Sequence, residues 1–103
     1  MVKRQTLASS IQKRNVELLT IAAEEKEFTV NSGPNDQLEL KSRRAIVIMA
    51  RVHPGESPSS FVCQGFIDFL VSTHPIAKVL RDYLVFKVVP MINPDGVFVG
   101  NYR

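Results

Sequence analysis

The sequence predicts an α/β fold in which two parallel strands are joined through helices. Three observations carry this. Two apolar runs, "RAIVIMARV" (44–52) and "LVFKVVPMI" (84–92), are rich in Ile and Val and nearly unbroken. Such runs suit strands buried on both faces of a sheet. Two proline-opened segments of helical spacing lie between the runs, and each run ends in a turn signal, Pro54-Gly55 or Asn93-Pro94-Asp95-Gly96. Strand, helix, helix, strand is a right-handed βαβ crossover.

Each element can be justified in order. "QTLASSIQ" (5–12) carries mixed signals and leans to strand. "NVELLTIAAE" (15–24) is apolar and β-branched and is expected to pair with its predecessor across a turn at Arg14-Asn15. "EEKEFTVNSGPNDQ" (24–37) holds a charge cluster and then Asn-Ser-Gly-Pro-Asn-Asp, so an exposed loop is expected. Ser57-Pro58 opens the first helix, with serine as cap and proline where no donor is needed. Val62, Phe66, Phe69 and Leu70 recur at helical spacing, with Cys63 and Ile67 beside them. Gly65 lowers helix propensity and so is expected at a close approach to a neighbour. The helix should stop before Pro75, which opens a second short one over 75–84.

The 103 residues suffice for one small domain with a modest core. Hydrophobic residues make up 45% and charged residues 22%, a soluble globular balance. The net charge of +3 is weak, and no aromatics interleave with Lys3, Arg4, Lys13, Arg14 or the Arg43-Arg44 pair. A solvated basic face is expected, with neither nucleic acid nor membrane as partner. The one cysteine, Cys63, forms no intrachain disulfide and reads as core. No secretory signal or membrane-length apolar run is visible, so a cytoplasmic location is expected.

The chemistry is concentrated at the two turns. In an open α/β sheet, ligands gather beyond the carboxyl ends of the strands. The crossover brings His53-Pro54-Gly55-Glu56 and Asn93-Pro94-Asp95-Gly96 to one edge, where they can share a site. Imidazole nitrogen and carboxylate oxygen both suit zinc. Pro-Gly excludes the helical His-Glu-x-x-His geometry, so the turn itself must bring His53 and Glu56 together. The other histidine, His74, falls between the helices and reads as a helix-end residue. Asn93 to Gly96 are read as shaping their loop, and Arg51 and Lys87 as sheet-edge or structural charges, with substrate contact as the alternative.

These stretches, "RVHPGESPSS" and "INPDGVFVGNYR", together with "LLTI" (18–21) and "LVFKVVPMINPDG" (84–96), closely resemble the M14 zinc metallocarboxypeptidases, in their cytosolic carboxypeptidase branch. The resemblance implies a partial three-layer α/β/α sandwich on a mixed β-sheet. Residues 1–103 would be the N-terminal part of a zinc carboxypeptidase catalytic domain, truncated, with a loop insertion at 24–41. It implies that His53 and Glu56 are metal ligands for one Zn2+. It implies too that Arg103, in the "GN-x-R" pattern, is a catalytic and substrate-binding residue that stabilises the oxyanion. The third zinc ligand, the Asn-Arg pair for a terminal carboxylate and the general-base glutamate of that family have no match here. The isolated chain is therefore expected to lack peptidase activity. The activity implied is removal of C-terminal or side-chain-linked residues, glutamates foremost, from protein tails such as polyglutamylated tubulin. The alternative is an inactive fragment or interaction module that keeps the fold without the chemistry.

Overall fold

Strand β1 (Val2–Ser9) turns back into β2 (Asn15–Ile21), and the two pair antiparallel from Val2 opposite Ile21 to Ser9 opposite Asn15. The computed structural model describes residues 1–23 and 43–103, so the expected exposed loop (24–37) and loop insertion (24–41) lie outside the described residues. The hairpin turn spans Ser10–Arg14 and is closed by the Ser10 N–H on the Arg14 carbonyl at 2.8 Å. Lys13 takes a positive φ of 62° there.

The chain resumes with β3 (Arg44–Met49), helix α1 (Pro58–Leu70), helix α2 (Pro75–Tyr83), β4 (Leu84–Val89) and the short helix α3 (Pro94–Val99). The sheet order is β1-β2-β4-β3. Strands β3 and β4 run parallel, in register from Arg44 opposite Leu84 to Met49 opposite Val89. Strand β2 meets β4 antiparallel. The crossover and the mixed sheet are thus as expected.

The core lies where the helices cover one sheet face. Ile21, Phe86 and Val88 from the sheet pack with Cys63 and Leu70 of α1 and with Ala50. Alternation along the strands puts Leu19 and Ile21 on the same side as their cross-strand partners Val88 and Phe86. Ile21 and Val88 are fully buried, each contributing about 1.5–3 kcal/mol of transfer free energy. A smaller cluster, Val16, Leu18 and Val89 with Ile92, covers part of the opposite face. Arg81 joins the helices, donating from Nη1 to the Leu70 carbonyl at 2.6 Å and the Ser72 carbonyl at 2.9 Å. Lys87 is structural, donating to Thr20 Oγ1 at 2.9 Å.

Four local expectations need correction. Strand β3 is not buried on both faces: among the described residues its one strand neighbour is β4, and Val47 is 61% and Met49 59% exposed. On α1, only Cys63 and Leu70 are buried, and Val62 and Phe66 point outward. Ser57 makes no side-chain cap because its own backbone is already helical (φ −56°, ψ −31°). The first free N–H groups bond to turn carbonyls instead, Ser59 to Glu56 and Ser60 to Ser57, both at 3.0 Å. Gly65 faces open space, with nothing within 4 Å of where a Cβ would stand.

Candidate metal centre

Two strand ends build the site. Beyond β3, the Ala50 N–H donates to the Val89 carbonyl at 2.9 Å and its carbonyl accepts from Ile92 at 3.0 Å. The ends of β3 and β4 are thereby stitched together just before both turns begin. At Arg51 the backbone swings into the left-handed region, φ 55°. A non-glycine residue there costs on the order of 1–3 kcal/mol and persists only where its surroundings hold it.

His53–Glu56 is a hydrogen-bonded β-turn, with the Glu56 N–H on the His53 carbonyl at 3.1 Å. Such a turn brings its first and fourth Cα atoms within about 7 Å. The imidazole and the carboxylate therefore flank one short bend. Among the described residues Glu56 has no hydrogen bond or ion pair through its carboxylate, and His53 has a single side-chain contact, through Nε2.

That contact is Arg103, whose Nη2 lies 3.3 Å from His53 Nε2. A guanidinium can only donate, so the ring nitrogen accepts. Arg103 arrives there because Tyr102 docks on the turn: its carbonyl accepts the Gly55 N–H at 2.7 Å. A Cβ on Gly55 would collide with the Tyr102 ring and stand 2.8 Å from its carbonyl oxygen. Glycine at 55 is thus required by close approach.

The second motif locks onto the first from the other side. Asn93 caps α3, its Oδ1 accepting from the Gly96 N–H at 3.1 Å, while its Nδ2 donates to the Val52 carbonyl at 3.2 Å. Pro54 packs on Gly96, where a Cβ would come within 2.8 Å of Pro54 Cγ. The motif expected as a plain turn is therefore a helix start, since Asn-Pro supplies a cap followed by a first-turn proline. Gly100, at φ 84°, ends α3 and sends the chain back toward the turn.

Asp95 braces this assembly. Its carboxylate accepts from Ser10 Oγ at 2.7 Å, from the Gln12 N–H at 3.1 Å and from Arg14 Nη1 at 3.1 Å. The Ser10 hydrogen bond foremost, with those from Gln12 and Arg14, holds the carboxyl below its ordinary 3.8. Arg14 also lies over the Phe98 ring, 3.8 Å from its centroid. Asp95 is committed to shaping the loop, as expected. His74 is the N-cap of α2, its Nδ1 accepting from the Ile76 N–H at 3.1 Å. Cys63 is buried, and burial raises its thiol pKa.

The structure therefore sets Arg103 beside His53 and places Glu56 at the other end of the same tight turn, with Asn93 and Gly96 bracing it. Imidazole and carboxylate are borderline and hard donors of the kind zinc takes. The Glu56 carboxylate is uncommitted, while His53 Nε2 accepts from Arg103, a hydrogen bond that a metal bound at the ring would replace, so the pair fits two positions of such a centre. Among the described residues no group of three or more His, Cys, Asp and Glu converges on one point. Sequence reasoning read Arg51 as a structural charge without placing it at the site, and missed Ser59, Ser60 and Tyr102 as parts of it. The doubled serine after Ser57-Pro58 was the one local signal for them.

The profile of the zinc carboxypeptidase family, Peptidase_M14, matches residues 1–103. The chain is 55% identical to cytosolic carboxypeptidase 6 of Mus musculus over 100 residues, 97% of this chain and 17% of that protein. It is 50% identical to cytosolic carboxypeptidase 2 of Homo sapiens over 101 residues, 98% of this chain and 10% of that protein. The crystal structure of a metallo-carboxypeptidase from Burkholderia cenocepacia superposes with a TM-score of 0.78 at 28% identity, covering 99% of this chain and 24% of that one. The chain thus spans less than a fifth of those two relatives and about a quarter of the superposed structure.

Proposed function

We propose, from the premise that this chain belongs to the zinc carboxypeptidase family, in its cytosolic carboxypeptidase branch, that the His53–Glu56 turn contributes two ligands to a catalytic zinc. The protein would act in the cytoplasm as a metallocarboxypeptidase on protein tails. The observation that carries this reading is the closed turn that bears an imidazole and an uncommitted carboxylate, with the Arg103 guanidinium 3.3 Å from His53 Nε2.

A zinc ion held there would polarise the scissile carbonyl and activate a water. His53 and Glu56 would hold it, through an imidazole nitrogen and a carboxylate oxygen. Arg103 would present fixed donors to the carbonyl oxygen as negative charge develops on it, and would help hold the substrate. Asn93, Pro54 and Gly96 keep the turn in shape without touching substrate. By the family resemblance the third protein ligand, a histidine, and the general-base glutamate would lie outside residues 1–103; the chain's other histidine, His74, caps α2. Residues 1–103 would then be the N-terminal part of the catalytic domain. The finer reading is that the residues removed are glutamates, C-terminal or side-chain-linked, from tails such as tubulin's.

Calorimetric titration with zinc tests the site. Binding at micromolar affinity or tighter, weakened at least tenfold by Glu56→Gln, is expected. Absence of binding, or indifference to that substitution, overturns it. The substrate reading is tested by mass spectrometry of glutamylated and unglutamylated tail peptides incubated with the protein at its natural length. Glutamate release lost in His53→Ala is expected, and equal release from both tails rejects the glutamate preference. The rival is a module that keeps the fold without catalysis. Zinc binding with no turnover at natural length would establish it.

A further inference from the structure

The Pro54–Gly55 peptide sits between the two candidate ligands, and both of its polar ends are held. Its carbonyl accepts from Arg51 Nε at 2.9 Å. Its N–H donates to the Tyr102 carbonyl at 2.7 Å. A trans peptide is planar, so its C=O and N–H point in opposite directions. The plane is therefore gripped from two sides.

The grip works against local preference. Pro-Gly at the centre of a β-turn favours type II, which needs a positive φ at the glycine. Among the described glycines only Gly100 has one, so the His53–Glu56 turn is not type II. Something outside the turn selects the other orientation of the central peptide. Arg51 is placed to do so. Its Nη1 also donates to Ser60 Oγ at 2.9 Å, and its own N–H donates to Ser59 Oγ at 2.9 Å. The guanidinium thus ties the turn to the first turn of α1, with a backbone held at φ 55°.

We propose that Arg51 is the positioning residue of the metal turn. By holding the Pro54 carbonyl it sets the Pro54–Gly55 peptide, which in turn presents the Gly55 N–H to Tyr102 and keeps Arg103 on His53. A type II flip would turn that N–H away and release the 102–103 segment. This inference rests on the zinc reading only for its effect on metal, not for the peptide orientation itself.

Arg51→Gly is the informative variant, because glycine tolerates the positive φ while removing the whole side chain that carries the guanidinium. In the metal-free protein, NMR should show a strong Pro54 Hα to Gly55 amide contact, diagnostic of type II, and faster exchange of the Gly55 amide. Zinc affinity should fall about 10–100-fold, as for other residues that orient ligands from behind, with the metal-free melting temperature unchanged or raised. Arg51→Lys should resemble Arg51→Gly, because the contacts use two nitrogens of a rigid fork. An unchanged Gly55 amide in Arg51→Gly, or full recovery by lysine, overturns the proposal. If the wild-type protein binds no zinc, the zinc reading fails while the NMR comparison still decides the role of Arg51.

Discussion

The carboxyl end of the parallel strand pair and the outer flank of the same strands differ sharply. At the strand end, residues 50–60 and 92–103 are joined by directed hydrogen bonds: Ala50 to Val89 and Ile92, Asn93 to Val52, Gly55 to Tyr102, Arg51 to Pro54 and Ser60. On the flanks, Val47 and Met49 of β3, on the sheet face away from the helices, and Phe61 and Val62 of α1 are large, apolar and exposed. The strand end specifies shape through geometry-sensitive bonds. The flank relies on non-directional apolar surface, as protein contact surfaces do. Errors of an ångström are costly at the strand end and cheap on the flank.

That contrast can be broken at its strongest point. Gly55→Ala would drive a methyl into the Tyr102 ring and backbone. Overpacking of this kind costs about 1–3 kcal/mol. A lowered melting temperature is expected, with loss of protection at the Gly55 amide in hydrogen exchange. A variant as stable as wild type would mean the 102–103 segment does not dock. A smaller effect, confined to acid, is expected of Asp95→Asn. The native carboxyl pKa lies below its ordinary 3.8 because hydrogen bonds from Ser10, Gln12 and Arg14 favour the charged form. Its contribution is present above pH 3.8 and is lost as pH falls through the lower native value. The asparagine variant should therefore show a flatter dependence of melting temperature on pH below that point. On the flank, Phe61→Ser should change stability by no more than about 0.5 kcal/mol while raising solubility. A large loss of stability there would erase the contrast.

Much of this was legible in sequence because it is local. The apolar runs that became β3 and β4, the proline-opened helices and the Cys63 core position all follow from short-range patterning. So does the placement of both turns, which the parallel crossover brings to one edge. The burial of β3 was misread because a run of Ile and Val reports strand, not the number of neighbours the strand has. Ser57 was misread because capping depends on its φ and ψ, which Pro58 alone does not determine. Arg51, Tyr102 and the bracing of Asp95 by Ser10 and Arg14 were invisible for another reason. Arg51 reaches Pro54, Ser59 and Ser60 within nine residues, but through an irregular turn that no periodicity records, and the other two join residues far apart in sequence. Arg103 was reached through family resemblance, and its place beside His53 is supplied by the chain folding back after Gly100.

The strap formed by Tyr102 and Arg103 has a temporal consequence. His53 meets a guanidinium 50 positions downstream, and contacts of long sequence separation form only after the intervening loop entropy has been overcome. During synthesis, the bend at 53–56 emerges from the ribosome well before its fastener exists. An unfinished polypeptide therefore displays the imidazole and carboxylate before the strap that orders the turn is made.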